Sequence, residues 1–593
     1  MELVRASRNT ACWPWILALA GVLGARAANL SLRLAAGFGP EPLAFDAWLP
    51  ANAQAQTVSV TRLDLLLSGI ALRRPDGTWI GNTNWFAFAN ARDGVVPLDL
   101  KGLPEGTYDA LRFQIGPDPE TNHRDPAAWP AGHPLNPLVN GLHWGWQGGY
   151  VFAAIEGHWI DGLGATNGYS FHVATDAHRT TVELPAHVRL PSVGALGLRL
   201  DVAALFARPN PIRLVPGQAT THSRTNDPLA RRLRENLEAA FSVVAARDGA
   251  GSMPTAGTNA VVPLVAPGAK PYRLVIPANF PRPALPRENP LTEEGVALGR
   301  ALFHDTRLSR GNVQSCATCH DPARGFADGE ATSKGADGIR GTRNAMALSN
   351  LAWKDRFFWD GRAATLREQV LQPIVNPAEM DEALPSVVAK LGTSAKDGGP
   401  DYPRAFAAAF GSTLVDADRL ARALEQYLLV QIAGDSRFDR VQRGQESFTE
   451  EERRGFELFH TENDPAHGLR GADCFHCHGG ALFRSQGFGN TGLEPRGGDI
   501  GRGAATGRAG DRLKFAVPSL RDVATTGPYM HDGRFATLAE VVAHYDHGVR
   551  DTANLDPNLA KHAGAGLGLD AADRRALVAF LLCLTENHKS TTP

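Results

Sequence analysis

At 593 residues the chain is too long for one compact domain, so two or three are expected. A formal net charge of -2 offers no basic face for nucleic acid or an anionic membrane surface. With 62 Gly, 40 Pro and 43% hydrophobic residues, the composition describes a loop-rich chain that builds its core around a cofactor.

The first 27 residues read as a secretory signal: Arg5 and Arg8 are basic, Trp15 to Leu23 is apolar, and Ala25-Arg26-Ala27 is an A-x-A cleavage site. The apolar stretch is too short to span a bilayer, and no later run is long enough to be a transmembrane helix. An exported, periplasmic chain without a membrane span in its mature form is therefore expected.

From about Asn29 to Phe206 the rhythm is that of short strands. Leu111, Phe113 and Ile115 alternate with polar or small neighbours, and Phe171, Val173 and Val182 lie in similar runs. Turn signals such as Pro75-Asp76-Gly77 and Pro104-Glu105-Gly106 separate them, which predicts an all-β sandwich or barrel. A helical piece is predicted near Asp227 to Arg247, and Asp248 to Pro271, rich in Gly, Ala and Pro, reads as a linker.

From about Tyr272 the chain is mainly helical and repeats itself. Leu291-Thr292-Glu293-Glu294 opens a helix ending Leu302-Phe303-His304, and Cys316 follows twelve residues later. Phe448-Thr449-Glu450-Glu451-Glu452 opens another ending Leu458-Phe459-His460, and Cys474 follows fourteen residues later. Thr449 with Glu452 fits a capping box. The fold class is thus multidomain: an N-terminal β domain, then two tandem cytochrome-c-like lobes over residues 272–445 and 446–593.

Each lobe carries a C-x-x-C-H motif, Cys316/Cys319/His320 and Cys474/Cys477/His478. Two thiols at this spacing meet both vinyl groups of a haem as thioethers, and the adjacent imidazole becomes an iron ligand. A redox C-x-x-C or half a zinc site explains one such motif, but not two in matching contexts behind an export signal. His476, inside the second motif, reads as an x position directed away from the iron. Of six cysteines, Cys12 leaves with the signal and Cys583 stands alone in an apolar helix as a small hydrophobe, so no disulfide framework is expected. Between Asp321 and Val370 there is no histidine and only one methionine, Met346, which suits a first haem with an open position for peroxide.

Residues from about 276 to 588 resemble the bacterial di-haem cytochrome c peroxidase and MauG family. The resemblance is carried by Phe358-Trp359-Asp360-Gly361-Arg362, Leu366-Arg367-Glu368-Gln369, Pro377-Ala378-Glu379-Met380 and Gly527-Pro528-Tyr529-Met530-His531-Asp532-Gly533-Arg534, with both haem motifs. It implies that Trp359 relays electron holes between the haems. It makes Glu379 and Gln369 the polar pair over the open haem, where a carboxyl group moves a proton between peroxide oxygens. Pro373 becomes a distal-pocket wall, and Asn344, Thr526 and Pro528 the holders of a structural calcium, an ion that takes oxygen ligands. Tyr545, fourteen residues after His531, stands where conventional di-haem peroxidases place an axial methionine and MauG-like enzymes a tyrosine. A hard phenolic oxygen there favours higher iron oxidation states.

Residues from about 29 to 206 resemble the MbnP family, associated with copper handling, through Asn140-Gly141-Leu142-His143-Trp144-Gly145-Trp146-Gln147-Gly148-Gly149-Tyr150 and Glu156-Gly157. In that family a MauG-like partner, MbnH, converts a tryptophan to kynurenine, which then helps to bind copper; here the two partners are fused. Trp144 and Trp146 are the candidates for oxidation, Trp144 first because it adjoins His143. His123, His143 and His172 are candidate copper ligands, among which the sequence does not choose. The chain departs from MauG in one respect. The residues before the second haem motif, Gly471-Ala472-Asp473, include no aromatic to pass holes outward, which leaves Tyr529 or Trp353 as alternative exits.

The expected function is that of a di-haem peroxidase. It takes two oxidising equivalents from H2O2, holds them on the haem pair and spends them on a tryptophan of its own N-terminal domain. One alternative is an H2O2 reductase fed by an external cytochrome or cupredoxin. Another is a copper-binding protein whose haems only transfer electrons.

Overall fold

The computed structural model describes residues 27–586 apart from short stretches, the longest of them 249–263. The leader before Ala27 and most of the expected linker lie outside the described residues. Among the described residues, no helix is long and apolar enough to cross a membrane.

The N-terminal domain packs two sheets. In one, Ala27–Phe38 runs parallel to Val193–Asp201 and antiparallel to Val96–Pro104. In the other, Thr180–Leu190, Gly106–Ile115, Arg62–Arg73, Gly149–Ile160 and Thr166–Ala174 follow one another antiparallel. Alternation decides which side faces in: Leu30, Leu32 and Leu34 point to the core from the first sheet, Leu111, Phe113 and Ile115 from the second. The strand Gly149–Ile160 does not alternate but is buried on both faces. Its outer face is covered by the second haem lobe, so a continuous apolar run suits it.

One expectation fails. The helix predicted from Asp227 to Arg247 runs only over Pro228–Ala240, and Phe241–Asp248 forms a strand paired with Val193–Asp201. Phe241 is buried and meets Phe113 edge-on at 5.1 Å, so tertiary packing overrides local helix propensity. The β domain therefore reaches residue 248 rather than ending near 206.

The C-terminal half holds two helical lobes. Thr292 caps Glu293–Phe303 by accepting from the Gly295 N–H, and Thr449 caps Glu450–Phe459 in the expected box with Glu452. Each of these helices crosses another at a glycine three residues before its Leu-Phe-His ending. A Cβ on Gly299 would lie 1.9 Å from the Ala423 carbonyl oxygen, and one on Gly455 would lie 1.9 Å from that of Ala576. The two lobes thus repeat one close helix crossing. The hydrophobic core of the second lobe is continuous with that of the β domain, whereas the first lobe has its own.

A buried ion pair braces the second lobe. Arg521 donates to Asp439, and through two of its nitrogens, at 3.0 and 2.6 Å, to the Ala481 carbonyl, beneath the rings of Phe280, Phe438 and Phe483. Asp439→Ala strands this guanidinium without its counter-ion, and such a break costs about 3–5 kcal/mol. The expected result is a lowered denaturation midpoint for the Soret signal of the second haem, and an unchanged midpoint would exclude the bracing role.

Candidate functional site

The two attachment motifs are built alike. Cys316–Cys319 forms a single helical turn and Cys474–His476 a 3-10 turn, each bringing its thiols and the following histidine to one place. His320 Nδ1–H donates to the Phe326 carbonyl at 3.0 Å, and His478 Nδ1–H to the Phe483 carbonyl at 3.1 Å. This fixes the ring and leaves Nε2 as a lone pair for iron. Both acceptor residues hold φ above zero, at 65° and 48°, a strained choice for phenylalanine that aims the carbonyl at the imidazole. Burial lowers His320 and pushes His478 down to about 4, the direction that favours the neutral ring metal ligation requires.

A cavity of about 300 Å³ opens beside the second motif, lined by Cys474, Cys477, His478, Trp359 and Tyr545 among mainly apolar neighbours. Thiols, a neutral imidazole and an apolar wall fit a covalently held haem. Tyr545 lies in the π-helical turn His544–Gly548 that continues Leu538–Ala543, a local widening often found at functional sites. Met346 lines this same cavity, with Lys354 Nζ 3.9 Å from its sulfur.

In the first lobe, Gln369 and Pro373 stand four residues apart on one face of the helix Leu366–Val375. The Met380 N–H returns to the Pro373 carbonyl at 3.1 Å, and the Ala336 N–H pins the Glu379 carbonyl at 2.7 Å. Asn376 Nδ2 donates to Glu379 Oε1 at 2.6 Å. Burial raises the Glu379 carboxyl above its ordinary value, against the pull of Asn376 and Arg362. Burial raises the Cys316 and Cys319 thiols, and the Glu379 charge adds a smaller push in the same direction.

Trp359 belongs to the first lobe but lines the cavity of the second. Its Nε1–H donates to the Asn344 carbonyl at 2.9 Å, and its own carbonyl accepts from Ala516 at 2.7 Å. Asn344, Thr526 and Pro528 line the same cavity, and the Asn344 amide donates to the Glu330 carbonyl at 3.0 Å.

In the β domain, His143 and Trp144 pair with Tyr150 and Gly149 across a hairpin. The Trp144 side chain and all of Trp146 lie outside the described residues. Gly141, two residues before this hairpin, packs beside the second haem motif: a Cβ built on it would lie 3.7 Å from the Gly480 backbone nitrogen, two residues past His478.

The three candidate copper histidines do not converge. His123 is exposed and bonded to Asp176 at 2.9 Å, and His143 meets Tyr150 edge-on at 4.8 Å. His172 is buried and faces the second lobe, where it joins Glu156, His222, Glu462 and His476; among the described residues neither His123 nor His143 shares a ligating cluster with it. His222 and Glu462 were not legible as site residues, and His476 turns its nitrogens toward Glu156 and Glu462. The one sequence signal was a second histidine inside Cys-Phe-His-Cys-His.

The di-haem cytochrome c peroxidase family profile matches residues 293–447, and the MbnP profile matches residues 27–225. The methylamine utilization protein MauG of Methylorubrum extorquens is 38% identical over 311 residues, covering 51% of this chain and 82% of that protein. The cytochrome c551 peroxidase of Nitrosomonas europaea is 33% identical over 276 residues, covering 45% of this chain and 77% of that protein. The crystal structure of a MauG-like protein associated with microbial copper homeostasis is 33% identical with a TM-score of 0.47, over 53% of this chain and 96% of that one.

Proposed function

The chain belongs to the di-haem cytochrome c peroxidase family that includes MauG, joined here to an MbnP-like domain, and on that premise we propose that this peroxidase oxidises a tryptophan of its own N-terminal domain to kynurenine. The observation that supports the reading is the packing of Gly141, three residues before Trp144, against Gly480, two residues past the second haem motif.

Haem held at the two motifs would supply the redox iron that reacts with peroxide. His320 and His478 hold it through Nε2, oriented by their backbone acceptors. Glu379 takes a proton from one peroxide oxygen and returns it to the other, so that water leaves. Trp359, reaching from one lobe into the cavity of the other, carries the oxidising equivalents between lobes. Tyr545 supplies a hard oxygen on the second cavity wall. Asn344, Thr526 and Pro528, which line one cavity, would hold a structural calcium through oxygen ligands. The new kynurenine and the adjoining His143 offer copper its first ligands.

The segment before the second motif supports an internal destination for the holes. Ala472 and Asp473 are 6% and 7% exposed, so this stretch presents neither an aromatic nor an open surface to a separate substrate. The test is peptide mass spectrometry across residues 136–155 of haem-loaded protein before and after peroxide. Conversion of Trp144 or Trp146 is expected. Intact tryptophans despite rapid peroxide turnover would favour a reductase fed by an external cytochrome or cupredoxin. Failure of the ferric protein to consume peroxide would favour a copper-binding protein with electron-transfer haems.

A further inference from the structure

Five ionisable side chains close the seam between the β domain and the second lobe. Glu156 and His172 come from adjacent strands and His222 from the loop beyond them, all in the β domain. Glu462 follows the helix Glu450–Phe459, and His476 sits between Cys474 and Cys477. All are buried, from 0% exposure for Glu462 to 7% for His476.

One carboxylate oxygen is the centre of this group. Glu462 Oε1 lies 2.7 Å from His476 Nε2, 3.1 Å from His222 Nε2 and 3.4 Å from His172 Nδ1. Ligand atoms around a tetrahedral zinc ion, with bonds of about 2.0–2.1 Å, stand about 3.3 Å apart. Neither nitrogen of His476 nor Glu462 Oε1 makes a well-directed hydrogen bond, although all three are fully buried. Buried polar atoms left in this state are rare, and they point into the cluster.

The surroundings match those of metal-binding histidines. His172 turns Nδ1 to the centre while its Nε2–H donates to Glu156 Oε1 at 3.0 Å. Glu156 is fixed in turn by Arg62 at 3.0 Å and by Asn558 at 2.9 Å. A carboxylate behind the imidazole fixes its tautomer and raises its basicity. Lys561 stands 3.4 Å from Glu462 Oε2 and Arg62 3.0 Å from Glu156 Oε1, so each carboxylate already faces a cation of its own.

We propose that His172, His222, His476 and Glu462 form a site for a divalent ion of the zinc–copper class, clamping the N-terminal domain onto the second haem lobe. Three imidazoles and one carboxylate suit a borderline transition ion, whereas calcium and magnesium prefer an all-oxygen shell. The clamp has a consequence for the enzyme. His476 adjoins a haem-bearing cysteine, so ligation there fixes the β domain against the second haem and sets the seat of the Trp144 hairpin.

The test uses haem-loaded full-length protein that has never met peroxide, so that no kynurenine contributes. Chelator-treated protein is titrated with Zn2+ and, separately, Cu2+, gel-filtered, and analysed for metal alongside iron. One equivalent of ion is expected beyond the two irons, with imidazole scattering in the zinc K-edge absorption spectrum. His222→Ala and Glu462→Gln should each weaken retention by at least about a hundredfold, with both Soret bands unchanged. If a variant alters the Soret bands, the absorption spectrum of the wild type decides alone. No retained ion, equal retention in the variants, or a spectrum without imidazole overturns the site and leaves a proton-sharing carboxylate–imidazole network. Peroxide plays no part here, so failure would leave the kynurenine reading standing, and failure of that reading would leave this site standing.

Discussion

Replacing Glu379 by glutamine lowers the rate constant of the ferric protein with H2O2 by about 10²–10⁴-fold, the usual contribution of a positioned proton-transfer group. The amide keeps the size of the side chain and can still meet Asn376, but it cannot take a proton from peroxide. The pH profile separates this role from a packing role. Burial raises the Glu379 carboxyl above its ordinary 4.5, and Asn376 and Arg362 only partly reverse that. The ionised carboxylate is the active form. The wild-type rate therefore falls as pH drops through this raised value, at a higher pH than a free glutamate would give. Glu379→Gln should be slow at every pH and lack that acid limb. Stopped-flow mixing with peroxide, followed at the Soret band, measures both quantities. Wild-type kinetics in the variant would remove Glu379 from the mechanism.

How far the sequence could be read depended on the distance over which each feature is specified. The haem motifs are local, since thiols and imidazole lie within five consecutive residues, and the paired helix caps at Thr292 and Thr449 are equally short-range. Strand alternation at Leu111, Phe113 and Ile115 was legible for the same reason. Phe241–Asp248 was not, because its state is set by pairing with Val193–Asp201 and by the ring of Phe113, neither of which the local sequence contains. The cluster at the seam is the extreme case. Its residues come from positions 156, 172, 222, 462 and 476, and only docking of the β domain onto the second lobe brings them together. Grouping His123 and His143 with His172 as copper ligands rested on residue type, which carries no information about that docking.

Peroxide should convert a tryptophan in the hairpin to kynurenine within the same molecule, and this gives the largest qualitative difference between the readings. Oxygen balance sets the stoichiometry. N-formylkynurenine is tryptophan plus two oxygen atoms, so two H2O2 are consumed and two water molecules released, and hydrolysis then yields kynurenine and formate. The fractional yield at fixed peroxide equivalents should not change on dilution, because the Gly141–Gly480 contact joins substrate and haem motif inside one chain. A yield that falls in proportion to protein concentration would mean that one molecule oxidises another. Tyr545→Met tests the second haem separately. Thioether ligation favours the ferrous state, so the variant should still consume peroxide at the first haem while losing most of the kynurenine product. The same kynurenine yield in Tyr545→Met would leave the tyrosine without a special role. Glu379→Gln, by contrast, should suppress peroxide consumption and product together, because it acts before the oxidising equivalents exist.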